Sequence, residues 1–98
     1  MERKEYEVVI RLVGNDSPCH VGHKVGEEWV FDYMTPPRMC GLAFNALYPF
    51  ALALQYGATF PWQQDPDVVM VSCPDTDVHN TFELRRRAKK PRKNGKGG

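Results

Sequence analysis

The fold is decided by residues 39–57, which read MCGLAFNALYPFALALQYG. Apolar side chains recur there at the i, i+3, i+4 and i+7 spacing of one helical face, through Met39, Leu42, Ala43, Ala46, Leu47, Phe50 and Leu54. The opposite face is also apolar, through Phe44, Tyr48, Leu52 and Tyr56. We therefore predict a helix that is buried on both sides, with a partner subunit covering the second side. Pro49 is expected to kink or split this helix, and Gly57 to end it.

The uncharged stretch around this helix, residues 39–64, is long enough to cross a bilayer. Asn45, Pro49, Gln55 and Gly57 interrupt it, and no basic anchor follows it closely, so we predict a buried helix and no membrane association. The chain begins MERKEYE, without the apolar segment of an export signal. We expect a cytoplasmic protein whose three cysteines are reduced thiols.

Four strands are predicted around the helix. Residues 6–12 alternate between apolar and polar side chains, and residues 28–33 place Trp29, Phe31 and Tyr33 on one face. Residues 68–73 form a continuous apolar run, typical of a central strand buried on both faces, and residues 81–84 give a short last strand. The order β-β-α-β-β predicts an α+β fold, a small and mostly antiparallel sheet packed on one long or Pro-kinked apolar helix.

The charges divide the chain into a body and a tail. Residues 85–98 carry eight basic side chains and no acidic one, whereas the other 84 residues hold five basic and twelve acidic groups, a formal net charge of −7. We predict a single domain over residues 1–87 and a disordered basic tail over residues 88–98. Non-specific nucleic-acid contacts are expected at Arg86, Arg87, Lys89, Lys90, Arg92 and Lys93, because a tail without aromatic residues can hold phosphates but cannot read bases.

The cysteines offer the strongest chemical signal. Cys19, Cys40 and Cys73 could converge with His23 to hold zinc or an iron–sulfur cluster, because soft metals prefer thiolate and imidazole ligands. Convergence would place the sulfurs about 4–7 Å apart. Their spacing matches no standard zinc knuckle, and reduced cysteine also serves as a small hydrophobic core residue. Both interpretations stay open, especially for Cys40 and Cys73.

Two further classes of function remain. The apolar helix could build a homo-oligomer, which would make the chain a structural or interaction protein with a tail that contacts nucleic acid or an acidic partner. Catalysis by a cysteine is also open. Paired carboxylates, a Ser/His/Asp set and a phosphate-binding glycine loop are absent from the sequence.

Several short motifs together resemble a known family. They are Cys19-x3-His23-Lys24-Val25-Gly26-Glu27-Glu28, Met39-Cys40-x2-Ala43, Leu47-Tyr48-Pro49, Leu54-x2-Gly57-x2-Phe60-Pro61-Trp62, Val71-x-Cys73-Pro74-Asp75 and Phe82-Glu83-Leu84-Arg85-Arg86. Over residues 5–87 the chain looks like a family of short prokaryotic three-cysteine proteins without an assigned activity. The resemblance implies that the three thiols belong together. His20, His79 and the basic tail lie outside its pattern.

Overall fold

The computed structural model describes residues 5–89, in which one helix packs on one face of a four-stranded sheet. The elements are β1 (Tyr6–Asn15), β2 (Glu28–Phe31), α1 (Gly41–Gln55), β3 (Val68–Ser72) and β4 (Asn80–Ala88). The strands lie in the order β2-β1-β4-β3, and each neighbouring pair is antiparallel. The prediction of an α+β fold with an antiparallel sheet is confirmed.

The core lies between α1 and the inner face of the sheet. In β1 the alternation places Val8, Ile10 and Leu12 inward, where each is fully buried. From β4, Phe82 and Leu84 lie beside them, and the inner face of α1 contributes Ala43, Leu47, Ala51 and Leu54. Burying one such large apolar side chain stabilises a fold by about 1.5–3 kcal/mol, so this single layer of contacts is the main source of stability.

The helix ends as its sequence predicts. Gly57 has a φ of 96°, and its N–H donates to the Leu54 carbonyl at 3.0 Å. The Ala58 N–H donates to the Ala53 carbonyl at 2.9 Å, which completes a Schellman motif. Pro49 lies inside the helix without dividing it into two. Among residues 5–89, no helix combines the length and the hydropathy needed to cross a membrane.

Two predictions about the strands are wrong, namely the central place of β3 in the sheet and the face on which Tyr33 lies. The apolar run of β3 predicted a central strand, but β3 is an edge strand, and Met70 and Ser72 are exposed on the open face of the sheet. Tyr33 was expected to share a face with Trp29 and Phe31. Instead β2 stops at Phe31, and Tyr33 adopts a left-handed φ of 67° that turns its side chain into solvent.

The last strand is longer than its apolar residues indicate. The prediction ended at Leu84, whereas β4 continues to Ala88 and pairs with β1 as far as Tyr6. The predicted boundary between domain and tail therefore falls inside a strand. Lys90 and the residues after it lie outside the described part of the chain.

Candidate functional site: a thiol-lined pocket

A pocket of about 220 Å³ opens at the N-terminus of α1. The loop between β1 and β2 forms one side, the start of α1 forms the second, and the turn between β3 and β4 forms the third. The lining residues are Cys19, His20, Val21, His23, Cys40, Leu42, Ala43, Cys73, Asp75, Asn80 and Phe82. All three cysteines of the chain therefore border a single pocket, together with His23.

Each cysteine comes from a different element. Cys19 lies in the loop after β1 and is half-buried, and Cys40 is the half-buried N-cap residue of α1. Cys73 follows β3 and is buried, and its N–H donates to the Asn80 carbonyl at 2.9 Å. All three are free thiols. Because antiparallel pairing returns the chain to this end of the sheet, residues far apart in sequence share the pocket.

The thiols do not yet have the spacing of a metal site. Four ligands around zinc lie about 3.8 Å from one another when each Zn–S bond is about 2.3 Å. Within residues 5–89, the one group of three potential ligand atoms mutually within 4.8 Å is His20, Asp75 and Asp77. A tetrahedral thiolate site would thus require side-chain rotation of at least one cysteine.

His23 joins the loop to the helix. Its side chain is only 9% exposed, and its ring meets Trp29 edge to face at 4.7 Å. Nε2 accepts a hydrogen bond from the Cys40 N–H at 3.1 Å, so this nitrogen carries no proton. Nδ1 faces a Glu27 carboxylate oxygen at 3.3 Å and is the protonated nitrogen. A metal could reach Nε2 only by replacing the Cys40 hydrogen bond, so His23 as fourth ligand stays a prediction.

The start of α1 adds positive electrostatic character to the pocket. No side chain caps this helix, and its first turn contains no acidic residue. The first N–H groups of a helix have no partner within the helix, and two of them belong to the pocket residues Leu42 and Ala43. Unpaired N–H groups and the helix dipole favour an anion at this end.

Asn80 is a pocket residue that sequence analysis missed. It is only 3% exposed, and no donor in the described part of the chain reaches its Oδ1. A buried carbonyl oxygen without a partner is destabilising by about 1–3 kcal/mol. An asparagine before a strand is ordinary in sequence, so only the fold reveals this vacant acceptor.

The other two histidines contact carboxylates. His20 Nε2 lies 3.8 Å from an Asp75 oxygen and 3.7 Å from an Asp77 oxygen. His79 contacts Asp16, which accepts the His79 backbone N–H at 3.0 Å and lies 3.3 Å from its ring. The backbone N–H of His79, more than its ring, lowers the pKa of Asp16. His20 is a pocket residue, whereas His79 is not.

Three of the six basic residues that were predicted to contact nucleic acid lie in the described part of the chain. Arg86 is a buried residue of β4, Arg87 pairs with Glu7, and Lys89 pairs with Asp32. The Asp32 carboxylate raises the pKa of Lys89. Each of these three residues has a partner in the folded body, so none of them belongs to a free tail. Lys90, Arg92 and Lys93 lie outside the described residues.

Comparisons of the chain with protein-family models, curated proteins and solved structures found no match.

Proposed function

We propose that this protein is a thiol-centred binding module that takes up a soft metal ion, zinc above all, in the pocket of Cys19, Cys40 and Cys73. The observation that carries the proposal is that every cysteine of the chain borders the same pocket, although they lie on three separate elements. Cys73 belongs to the hydrophobic core and Cys40 packs against it, but Cys19 lies in a loop outside that core, so core packing does not explain its place beside them.

The surroundings favour thiolate chemistry. The N-terminal end of α1 stabilises negative charge beside Cys40, and a metal site requires deprotonated sulfur. Rotation about one Cα–Cβ bond moves a cysteine sulfur by about 3 Å. Such a rotation, most easily at the loop residue Cys19, is our proposed route to ligand spacing. Zinc suits three thiolates and a fourth ligand, whereas iron–sulfur clusters are usually held by four cysteines.

Cadmium titration tests this function, because cadmium–thiolate bonds absorb in the ultraviolet and report sulfur ligation directly. Reduced full-length protein is expected to bind one equivalent. Cys19→Ser, Cys40→Ser and Cys73→Ser should each weaken binding by at least about tenfold, since a shared site loses a ligand in each case. Circular dichroism confirms that each variant is folded. Cys19 is the most informative position because it lies in a loop.

His79→Ala is the matched control, because it removes an exposed imidazole outside the pocket and should leave the titration unchanged. Three single-cysteine variants that all retain wild-type affinity would show that the thiols act independently and would overturn the proposal.

An oligomer built on α1 is our second candidate. Leu42, Tyr48 and Tyr56 of this helix region are exposed, and Tyr56 packs against the exposed Tyr33 with ring centroids 6.2 Å apart. A stable interface covers about 800 Å² on each partner, and an aromatic cluster is a suitable centre for one. The basic residues beyond Lys89 would then remain free to contact nucleic acid or an acidic partner.

Light scattering tests the oligomer. Tyr56→Glu should convert a dimer to a monomer, because the change places a charge in a desolvated contact. Tyr56→Phe should leave the dimer intact. Tyr48 is a poorer position for this test because its ring also packs against Phe31 in the core. A wild-type protein that is monomeric at all concentrations contradicts this candidate.

A further inference from the structure

The rim of the thiol pocket carries a second group of potential ligands. His20 Nε2, an Asp75 oxygen and an Asp77 oxygen all lie within 4.8 Å of one another. They come from two segments more than fifty residues apart, the loop after β1 and the turn before β4. We propose that this group is a divalent-cation site with nitrogen and oxygen ligands, separate from the three sulfurs. The inference goes beyond the proposed function and does not depend on it.

A hydrogen bond within the turn orients the Asp75 carboxylate. One oxygen of Asp75 accepts the Asp77 backbone N–H at 2.8 Å, which leaves its other oxygen facing His20. The Asp75 side chain is only 19% exposed. Across residues 5–89, neither Asp75 nor Asp77 pairs with a lysine or arginine. Two carboxylates thus converge on one imidazole, and a divalent cation held among them would neutralise their charge.

Asn80 supplies an independent indication of a ligand. Its buried Oδ1 lacks a donor in the described part of the chain, and Asn80 lines the same pocket as His20 and Asp75. A carboxamide oxygen can coordinate a cation directly or accept a hydrogen bond from a water bound to one. A cation or bound water that reached Oδ1 would satisfy an acceptor that has no donor within residues 5–89.

The donor set indicates which cation fits. Two carboxylates and one imidazole suit manganese(II), iron(II) or zinc, whereas thiolates select softer ions. The partial exposure of His20 and Asp77 leaves coordination positions open to water. Protons compete with the metal for the imidazole and the carboxylates, so binding should weaken as the pH falls. Manganese is the best probe, because it discriminates between this rim site and the sulfurs.

The test is a manganese titration of full-length, chelator-treated protein, followed by electron paramagnetic resonance of the free ion. Wild type should bind one equivalent. Asp77→Asn should weaken binding by at least about tenfold, and so should His20→Ala. Both positions are exposed, so neither change threatens the fold. His79→Ala is the matched control, because it removes an equally exposed imidazole that faces a single carboxylate, Asp16, and should bind as wild type does.

The outcomes separate this inference from the thiol proposal. Manganese binding that persists in Cys19→Ser and is lost in Asp77→Asn supports the rim site, whatever the cadmium titration shows. Manganese binding that is the same in Asp77→Asn, His20→Ala and wild type overturns it. Absence of saturable binding in wild type overturns it as well, and it leaves the cadmium experiment as the separate test of the sulfurs.

Discussion

Replacing Arg86 with methionine is expected to destabilise the protein by about 3–5 kcal/mol. The guanidinium is buried and donates to the Asp67 carboxylate at 3.0 Å. It also donates to the carbonyls of Leu54, Ala58 and Pro66, at 3.2, 2.7 and 3.0 Å. Methionine fills similar volume but provides no donor. The carbonyls of Ala58 and Pro66 would then lose the donor they have in Arg86, whereas the Leu54 carbonyl would keep the Gly57 N–H.

The position of Arg86 explains why the effect should be large. Its bonds to Leu54 and Ala58 satisfy carbonyls where α1 ends, and its bonds to Pro66 and Asp67 hold the segment that leads into β3. The guanidinium also lies over the Tyr6 ring, 5.0 Å from its centre. One side chain therefore joins the helix end, two strands and a loop. Small domains have a total stability of only about 5–15 kcal/mol, so the variant should be largely unfolded in mild denaturant.

Urea denaturation followed by circular dichroism measures this loss, and Arg85→Met is its matched control. Arg85 directly precedes Arg86 in the same strand, but it is exposed and pairs with Asp65 and Glu83 at the surface. An exposed ion pair contributes about 0–1 kcal/mol, so this variant should stay close to wild type. Arg86→Lys should recover only part of the loss, because an ammonium cannot reproduce the fork of the guanidinium. Equal midpoints for Arg85→Met and Arg86→Met would contradict the role assigned to Arg86.

Arg86 also shows where the sequence pattern is misleading. In β4 the inward positions are Phe82, Leu84 and Arg86, a regular alternation that continues past the last apolar residue. Three consecutive arginines predict solvent exposure, and two of them, Arg86 and Arg87, are among the predicted nucleic-acid contacts. The acceptors that make burial possible come from α1 and from the segment before β3, so no local pattern could reveal them.

The spacing of apolar residues predicts where the helix and the strands lie, but it does not predict which strands lie next to one another. The alternation of β1 and the helical spacing of α1 were sufficient to place both, since each buries one face against the other. The run of residues 68–73 gave the strand but not its place in the sheet, because valine-rich strands occur at edges as well as in centres. Register and strand order arise from pairings between distant segments, which a single sequence does not encode locally.

The residues of the pocket were also predictable only in part from the sequence. The three cysteines stood out by residue type, and all three border one pocket, but the predicted spacing of their sulfurs stays a prediction. Asn80 and Asp77 are unremarkable as sequence, one before a strand and the other in an acidic turn. Their significance comes from burial in the first case and from the distance to His20 in the second.

Replacing Phe31 with alanine is the other change expected to have a large effect, a loss of about 3–5 kcal/mol. The ring is 1% exposed, and its centre lies 5.9 Å from that of Phe44 and 5.8 Å from that of Tyr48. β2 has only four residues and pairs with β1 alone, and Phe31 is one of its two buried side chains, with Trp29. Denaturant unfolding measures the loss, and Val30→Ala, on the open face of the same strand, should change stability by less than about 1 kcal/mol.

The loss at Phe31 should also reach the pocket. Residues 16–27 connect β1 to β2 and carry Cys19, so loosening β2 releases one end of that loop. Cys73 is buried after β3, on the other edge of the sheet, and its N–H is bonded to Asn80, so it should become accessible less readily than Cys19. Under folding conditions, a thiol reagent with mass-spectrometric mapping should therefore label Cys19 faster in Phe31→Ala than in wild type, with little change at Cys73. Equal acceleration at both cysteines would mean that β2 and the Cys19 loop do not open apart from the rest, because the domain then unfolds as one unit.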